Sequence, residues 1–221
     1  MARIGIVVFP GSNCDRDVHY ILNNILHIPS HYVWHTDSNL STFDSLIIPG
    51  GFAYGDRLRA GAIAAHSPAA NGLKKMAKDG GIILGICNGF QILVECGLLP
   101  GALVKNNSLS FVCRETTIKV ENNNTVFTSS FKKDQTIKIP IAHGEGRYIA
   151  DNRLLKTILK KRQVVFRYFN DDPNGSAGHI AAVCNEEGNV MGMMPHPERA
   201  VTRGSPEASM IFRSIYTYLD K

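Results

Sequence analysis

Short apolar runs that end abruptly at glycine or proline constrain the fold of this chain more than any other feature of its sequence. Residues 3–9, 45–48 and 81–84 are three such runs. Runs of this length that are apolar at nearly every position are typical of strands buried on both faces. Proline and glycine then end each strand because they favour a turn. The sequence therefore predicts a sheet whose central strands are covered by other layers of structure.

The segments between these runs have the spacing of amphipathic helices. The apolar positions of residues 15–27 lie on one helical face. A second helical region spans residues 58–78, with a break near Ser67-Pro68, and a third follows residue 87. Strands that alternate with helices predict an α/β fold with a mostly parallel central sheet flanked by helices.

The second half of the chain has a different pattern. Residues 111–126 and 136–141 alternate in a way that predicts antiparallel strands, and further strands are expected at 164–168, 180–185 and 190–194. Glu187-Gly188 has the form of a hairpin turn between the last two strands. Helices are expected at 154–161 and 206–219. Since no repeat or linker interrupts this pattern, residues 1–221 are predicted to form a single domain.

Composition narrows the class of protein. Hydrophobic residues make up 44% of the chain, which is enough to form a full core, and the formal charge is +5. Its densest basic group, at residues 156–162, fits a solvated helix face better than a nucleic-acid patch. The five cysteines form an odd set without the spacing of a zinc site or a disulfide framework. Because no signal peptide or membrane-length apolar stretch is present, we predict a cytoplasmic protein that binds no metal, nucleic acid or membrane.

Cys87 has the sequence context of a nucleophile. It follows the apolar run 81–84, and Gly85 and Gly89 lie two residues to either side of it. This is the pattern of a nucleophile elbow with cysteine in place of serine, in which glycines remove clashes from a tight strand-to-helix turn. Cys87 is therefore predicted to stand at the end of a strand with strained backbone angles, close to a base and an oxyanion hole.

His196 is the best candidate for that base. It lies between Pro195 and Pro197, directly after an apolar strand, and Glu198 is near enough to orient its ring as the acid of a triad does. Alone, such a His-x-Glu pattern is weak evidence, because a histidine that caps a turn is the more common explanation. Together with a cysteine elbow, it indicates a Cys-His-Glu triad.

Two backbone N–H groups are candidates for the oxyanion hole. In elbow enzymes one donor is the residue after the nucleophile, which here is Asn88 at the start of a helix. The second donor is expected from a glycine-rich loop after a neighbouring strand, and Gly51 in Pro49-Gly50-Gly51 is the candidate. An ordinary turn at the end of a strand is an equally good explanation of that loop.

Other polar and sulfur-containing segments have weaker assignments. Residues 10–14 resemble a phosphate-binding turn but lack the lysine of a P-loop and the spacing of a dinucleotide-binding motif. Because Cys14 is not in an elbow, it is predicted to be a loop residue near the active face and not a nucleophile. The charged, glycine-rich segment 143–147 is predicted to contact a ligand or partner, with a solvated loop as the alternative. Cys96, Cys113 and Cys184 have apolar neighbours and are predicted to lie in the core.

The motif G-I-C-N-G-F-Q at residues 85–91, followed by H-P-E at 196–198, resembles that of the class I, triad-type glutamine amidotransferases, which have a flavodoxin-like fold. Further blocks are similar to the glutaminase subunits of phosphoribosylformylglycinamidine synthase. They lie at residues 9–15, 49–56, 140–148, 174–176 and 192–199. Ala53 is one departure, since the pattern of those subunits favours serine there.

The resemblance implies a subunit that hydrolyses glutamine to glutamate and ammonia. Ammonia would pass to a synthetase subunit that makes formylglycinamidine ribonucleotide from formylglycinamide ribonucleotide and ATP in purine biosynthesis. A small accessory subunit would complete the assembly, and ATP and Mg²⁺ would bind the synthetase subunit, leaving this chain without a cofactor. The residues implied in catalysis or in substrate contact are Cys87, His196, Glu198, Gly51, Asn88, Gln91, His143 and Gly144.

Other functions remain open from the residues themselves. The chain could serve a different amidotransferase, or it could be a cysteine hydrolase of the related protease and chaperone group. Members of that group usually take their histidine from the position after the cysteine, where this chain has Asn88. A non-catalytic binding module would be expected to have lost Cys87 or His196, and both are present.

Overall fold

The computed structural model describes residues 2–220, which form one nine-stranded sheet and a separate two-stranded ribbon. The strands are β1 (Ile4–Val8), β2 (Ser30–Trp34), β3 (Ser45–Ile48), β4 (Ile82–Ile86), β5 (Ala102–Val104), β6 (Val112–Val120), β7 (Thr136–His143), β8 (Arg147–Ile149), β9 (Val164–Tyr168), β10 (Ile180–Cys184) and β11 (Val190–Met193). The helices are α1 (Asp15–Tyr20), α2 (Pro68–Lys78), α3 (Asn88–Glu95), α4 (Asn152–Lys160), α5 (Pro197–Thr202) and α6 (Met210–Leu219).

The large sheet has a parallel half and an antiparallel half. Its strand order is β2-β1-β3-β4-β11-β10-β9-β6-β7. Neighbours from β2 to β11 are parallel, and neighbours from β11 to β7 are antiparallel. The ends of β3, β4 and β11 therefore meet at one edge, which is where open α/β sheets bind their ligands. This arrangement confirms the predicted α/β class.

The central strands are buried as the apolar runs predicted. Every residue of β3, β4 and β11 is buried. Helices cover these strands, so residues from both faces of the sheet enter one continuous core. The packing around β4 fixes the position of Cys87, which directly follows this strand.

The antiparallel half curls back toward the parallel half. Although β7 is the last strand in the order, the N–H of His196, just beyond β11, donates to the carbonyl of Pro140 in β7 at 2.9 Å. Ala142, also in β7, lies against Cys87 beyond β4. The edge strand of the sheet therefore forms a wall of the space next to Cys87 and His196.

Several predicted boundaries are wrong, for local reasons. The helix expected at 15–27 is α1 followed by a π-helical turn at Ile21–Ile25. The helix expected at 58–78 is helical only at Ala64–His66 and in α2, because Ser67 caps α2 and positive backbone angles at Leu58 and Gly61 prevent a helix before it. The closing helix begins as a 3₁₀ turn at Pro206–Ser209. The short ribbon of β5 and β8 carries too few residues for a period to be recognised.

The hairpin predicted at Glu187-Gly188 is confirmed, since β10 and β11 pair and the N–H of Asn185 donates to the carbonyl of Val190 at 2.9 Å. The expectation that Cys113 lies in the core is wrong. Cys113 is exposed in the first half of β6, where its neighbours Arg114 and Glu115 are exposed as well, whereas Cys96 and Cys184 are buried. The basic residues of α4 are exposed, as expected for a solvated face. Within residues 2–220, no helix is both long enough and apolar enough to cross a bilayer.

Candidate active site

Cys87 lies in a strained turn between β4 and α3. Its backbone has φ 52° and ψ −105°, a region that side-chain-bearing residues rarely occupy, and its N–H donates to the carbonyl of Met193 at 2.7 Å. A Cβ at Gly85 would lie 2.6 Å from the carbonyl carbon of Gly89, and one at Gly89 would lie 2.1 Å from the carbonyl oxygen of Ile48. The two glycines therefore allow α3 to pass close to the sheet, and this position holds the Cys87 side chain at the end of β4.

His196 and Glu198 form a buried pair beyond β11. The Nδ1 of His196 lies 2.6 Å from Oε1 of Glu198, and the two side chains are 2% and 0% exposed. Burial opposes a charge on His196, but Glu198 and the sulfurs of Cys87 and Cys14 outweigh it, so its pKa is raised well above the usual value. Since Nδ1 faces Glu198, the other ring nitrogen, Nε2, is the one available to a reacting group.

Gly50 is the point at which the catalytic candidates converge. A Cβ on Gly50 would lie 2.7 Å from Cε1 of His196, 3.1 Å from Sγ of Cys14 and 3.4 Å from Cβ of Cys87. The three side chains therefore surround one small backbone position at the end of β3. Sγ of Cys87 also lies 3.6 Å from the carbonyl oxygen of Ala142, and Nε2 of His196 has no hydrogen-bond partner among the described residues. These contacts bring a thiol and an imidazole that were distant in sequence to the same site.

Cys14 lies on the other side of the His196 ring. Its Sγ is 3.8 Å from Nδ1 of His196 and accepts a hydrogen bond from the Arg199 guanidinium at 3.0 Å, while burial raises the pKa of its thiol. The sequence-based placement of Cys14 near the active face is therefore correct. Cys14, His196 and Glu198 have possible metal-ligand atoms within 4.8 Å of one another. These atoms already face one another and Arg199, so the cluster is better explained as support for the imidazole.

The two candidate oxyanion donors have different backbone environments. Residue 51 forms an isolated bridge with Ser12, in which the bonds run from the N–H of Phe52 to the carbonyl of Gly11 and from the N–H of Asn13 to the carbonyl of Gly50. In this pattern the N–H of Gly51 points away from Ser12. The N–H of Asn88 begins α3, where helical N–H groups have no partner within the helix. Gly51 also lines the same cavity as Cys87.

A small cavity opens beside Cys87. Its volume is about 190 Å³, and Gln91, His143 and Gly144, the predicted substrate-contact residues, all line it. Gln91 is braced at both ends of its amide, since Nε2 donates to the carbonyl of Glu145 at 2.7 Å and Oε1 accepts from Asn88 at 2.9 Å. The structure thus places Cys87, Gly51 and the predicted contact residues around one pocket, whereas His196, Glu198 and Asn88 lie outside its lining.

His143 is held as a neutral ring. Its Nδ1 pairs with Oδ1 of Asn106 at 3.1 Å, and the amide of Asn106 donates to the carbonyl of His143 at 2.8 Å. Burial, followed by the nearby charge of His196, lowers the pKa of His143 to about 4. Because Asn106 accepts, Nδ1 carries the proton and Nε2 is left as an acceptor without a partner among the described residues.

Three residues of the site were not found by sequence reasoning. Asp56 and Phe111 line the cavity, and Asn106 fixes His143. Asp56 follows the glycine-rich loop after β3. Because this loop contains the oxyanion candidate Gly51, its position in the sequence could have indicated that Asp56 lies near the site. Phe111 and Asn106 come from the connection between β5 and β6, which had no recognisable motif.

Known proteins resemble this chain along nearly its whole length. A family model described as the CobB/CobQ-like glutamine amidotransferase domain matches residues 1–209. The phosphoribosylformylglycinamidine synthase subunit PurQ of Moorella thermoacetica is 54% identical over 205 residues, covering 89% of this chain and 87% of that protein.

Solved structures agree with this relationship. A chain in the structure of PurLQS from Thermotoga maritima has a TM-score of 0.89 and 48% identity, covering 99% of each chain. A glutamine amidotransferase from Thermotoga maritima has a TM-score of 0.59 and 14% identity, covering 94% of this chain and 82% of that one, which shows a shared fold. The chain therefore belongs to the CobB/CobQ-like glutamine amidotransferase family and, within it, to the PurQ subunits of phosphoribosylformylglycinamidine synthase.

Proposed function

We propose that this chain hydrolyses the side-chain amide of L-glutamine with a Cys87-His196-Glu198 triad. The observation that carries the proposal is the convergence on Gly50, where Cys87 at a strained elbow and His196, backed by Glu198, lie against the same backbone position. Such a constellation supplies a nucleophile, a base and a residue that orients the base. The family to which the chain belongs accounts for glutamine as the substrate class.

Thiol activation is the first step of this mechanism. Nε2 of His196 takes the proton of Cys87, and the resulting imidazolium is stabilised by Glu198, which raises the pKa of His196. The thiolate lies at the N-terminus of α3, where unpaired N–H groups favour a negative charge.

The thiolate then attacks the amide carbon of glutamine. The N–H groups of Gly51 and Asn88 hold the oxyanion, and His196 returns the proton to nitrogen as the carbon–nitrogen bond breaks and ammonia leaves. Water, deprotonated by His196, attacks the remaining thioester, so that glutamate is released and Cys87 regains its proton. Gln91, His143 and Gly144 border the pocket and are proposed to contact the substrate.

The partner chain completes the reaction. The relatives are named as a subunit of phosphoribosylformylglycinamidine synthase and as part of PurLQS. We propose that this chain delivers ammonia to the corresponding synthetase subunit, with a small accessory subunit in the assembly. In this proposal, ATP and Mg²⁺ bind the synthetase subunit. We also propose that residues 1–221 form a single domain and that the protein is cytoplasmic.

Replacement of the nucleophile tests the function directly. The Cys87→Ala variant, assembled with the synthetase subunit, should form product from ammonia at the wild-type rate and lose glutamine-dependent product formation by about 10⁴-fold or more. Cys113→Ala is the matched control, because Cys113 is exposed on β6 and lies outside the cavity. Continued release of glutamate by Cys87→Ala would contradict the assignment. Loss of the ammonia-dependent reaction as well would contradict the separation of the two activities.

A further inference from the structure

Cys14 is a buried thiol for which the proposed reaction has no use. It directly precedes α1 and is 1% exposed. Its Sγ lies 3.8 Å from Nδ1 of His196, the ring nitrogen that faces Glu198. Proton transfer with Cys87 takes place at the other ring nitrogen, Nε2. Cys14 is therefore placed to act on the orientation of the imidazole and not on the proton that the imidazole transfers.

Arg199 holds this sulfur in place from α5. Nη2 of Arg199 donates to Sγ of Cys14 at 3.0 Å, and Nε lies 3.5 Å from Oδ2 of Asp17 in α1. Because Glu198 is the preceding residue of α5, the same helix supplies the carboxylate for Nδ1 and the donor for the sulfur. Helices α1 and α5 are thus joined on the Nδ1 side of the His196 ring.

The backbone around Cys14 is fixed as well. Its N–H donates to the carbonyl of Gly50 at 3.0 Å, and its carbonyl accepts from the N–H of Val18 at 3.0 Å. A Cβ at Gly50, the position that packs against Cε1 of His196, would lie 3.1 Å from Sγ of Cys14. The sulfur is therefore fixed by its own backbone, by Gly50 and by Arg199.

The contact between Cys14 and His196 has a defined polarity. Because the carboxylate of Glu198 accepts from Nδ1, the sulfur can only accept from that nitrogen as well. Burial raises the pKa of the Cys14 thiol, so the sulfur is an uncharged, polarisable acceptor near neutral pH. It does not compete with Glu198 as an anion, and it favours the imidazolium that forms when Cys87 loses its proton.

The titratable and charged groups around the imidazole come from each of the elements packed against it. They are Cys14 before α1, Cys87 after β4, His143 in β7, and Glu198 and Arg199 in α5. Burial lowers the pKa of His143 to about 4, so neither this ring nor the Cys14 thiol changes its charge near neutral pH. A shift of the pH–rate profile on replacement of Cys14 therefore reports on the triad itself.

We propose that Cys14 and Arg199 are positioning residues for the base. Arg199 fixes the sulfur of Cys14, and this sulfur holds the ring of His196. The ring then keeps Nδ1 on the carboxylate of Glu198 and Nε2 free for the thiol of Cys87. This role rests on the proposed function, because the alignment of the imidazole matters to the reaction only if the imidazole acts as the base.

Replacement of the sulfur tests its contact with His196. With the chain assembled on its synthetase subunit, glutamine-dependent product formation is measured across pH and divided by the ammonia-dependent rate of the same preparation, which corrects for any loss of assembled protein. Cys14→Ala should lower kcat by about tenfold and change KM by less than about twofold, because the lost acceptor serves the base and not the substrate. Its pH–rate profile should move to lower pH, since the sulfur contact raises the pKa of His196. Cys184→Ala, which removes another buried free thiol from β10, is the matched control and should change neither quantity.

A double variant tests the coupling of Arg199 to Cys14. Arg199→Met keeps much of the side-chain length without a donor and should lower kcat by about three- to tenfold in the otherwise unchanged chain. In the Cys14→Ala background the same change should cost less than about twofold, because no sulfur remains to be held. Arg203→Met, at an exposed position just beyond α5, is the control and should leave kcat unchanged.

Three results would overturn the inference. A lower kcat in Cys14→Ala with an unshifted pH–rate profile would indicate a general loosening of the site, and an unchanged kcat would show that the sulfur does not act on the base. Losses that multiply in the double variant would show that Arg199 acts independently of the sulfur.

Cys14→Ser carries the same test if Cys14→Ala does not assemble. Its shorter bond to Cβ withdraws the acceptor from Nδ1, so a smaller shift of the profile in the same direction is expected, and the absence of a shift would overturn the inference. All of these outcomes differ from failure of the proposed function, in which Cys87→Ala would still hydrolyse L-glutamine.

Discussion

The parallel and antiparallel halves of the sheet contribute different parts of the site. The parallel half holds the reacting groups, since Gly51, Cys87 and His196 each follow one of its strands. The antiparallel half curls back and supplies the wall of the cavity through β7 and the turn that follows it. Groups in the first half are fixed by short sequence motifs at strand ends, whereas those in the second depend on pairings between distant segments. Chemistry and substrate fit should therefore respond differently to mutation.

Among changes that leave Cys87 and His196 themselves in place, the largest expected effect comes from filling the backbone position that these two residues share. Gly50→Ala would place a methyl group 2.7 Å from Cε1 of His196, which must then shift, while the 3.4 Å distance to Cβ of Cys87 is close to ordinary contact. Since small displacements of reacting groups are costly, kcat should fall by about 100-fold or more. Gly188→Ala is the control for kcat, because a methyl group there meets no atom within 4 Å and the strain from its positive φ of 77° is confined to a hairpin outside the cavity. A Gly50→Ala enzyme with normal kcat would show that the parallel half does not bring these residues together.

Loss of the charge behind His196 should have the next largest effect. Glu198→Gln keeps the shape of the pair but removes the anion that raises the pKa of His196. We expect kcat to fall by about 10- to 100-fold, and the pH–rate profile to move toward lower pH because an imidazolium without its anion loses its proton more readily. Glu187→Gln, at an exposed turn, should change neither quantity. An unshifted profile in Glu198→Gln would indicate that Glu198 does not act on the imidazole.

A mutation in the antiparallel half should affect binding and stability more than chemistry. Asn106 is fully buried, and its amide bonds the carbonyls of Ser110 and His143, the ring of His143 and the N–H of Gly146. Asn106→Ala should lower the free energy of unfolding by about 2–3 kcal/mol and raise KM more than it lowers kcat. Urea unfolding and steady-state kinetics measure these quantities.

Asn123→Ala is the comparison for that variant, since the Asn123 amide makes one long bond to the carbonyl of Phe131 at 3.4 Å. It should lose well under half as much stability. If Asn106→Ala instead lowered kcat with KM unchanged, the division of roles between the two halves would be wrong.

The smallest expected effect concerns the stability cost of an acidic pocket. Partial burial, and then the charge of Glu145, raise the pKa of Asp56 to about 6 in the folded protein, against a usual 3.8, so the folded state holds this proton more tightly than the unfolded chain. The resulting stabilisation is present below about pH 3.8 and is lost as the pH rises through about 6. Asp56→Asn should therefore raise the free energy of unfolding at pH 7 by about 1 kcal/mol, after allowance for solvent screening of a half-buried group.

That gain should vanish near pH 4, and unfolding curves at the two pH values test it. Asparagine also tolerates the positive φ of 50° at this position, which acts in the same direction at every pH. A gain of equal size at pH 4 and pH 7 would mean that the backbone angle alone is responsible and that the charge costs nothing.

The difference between the two halves also explains which features were predictable. Apolar runs and glycine positions located β1, β3 and β4, because a strand that is buried on both faces is apolar at nearly every position. The G-x-C-x-G elbow marked Cys87 because the turn itself requires glycines, and the H-P-E motif marked His196 and Glu198. By contrast, the sequence around Asn106 and Phe111 does not indicate that the edge strand β7 returns to the active site. That return depends on how the sheet curls over four successive antiparallel strand pairings. The exposure of Cys113 was missed because its apolar neighbours in sequence do not reveal that the first half of β6 is exposed.

Covalent labelling with a glutamine analogue tests the central claim most directly. Two buried thiols, those of Cys87 and Cys14, lie beside His196, and the account assigns the nucleophile to Cys87 alone. The assembled protein is treated with 6-diazo-5-oxo-L-norleucine, digested and mapped by mass spectrometry. The predicted result is one adduct on the peptide that contains Cys87, absent from Cys87→Ala and suppressed by excess L-glutamine. An adduct on Cys14, or labelling that persists in Cys87→Ala, would contradict the account.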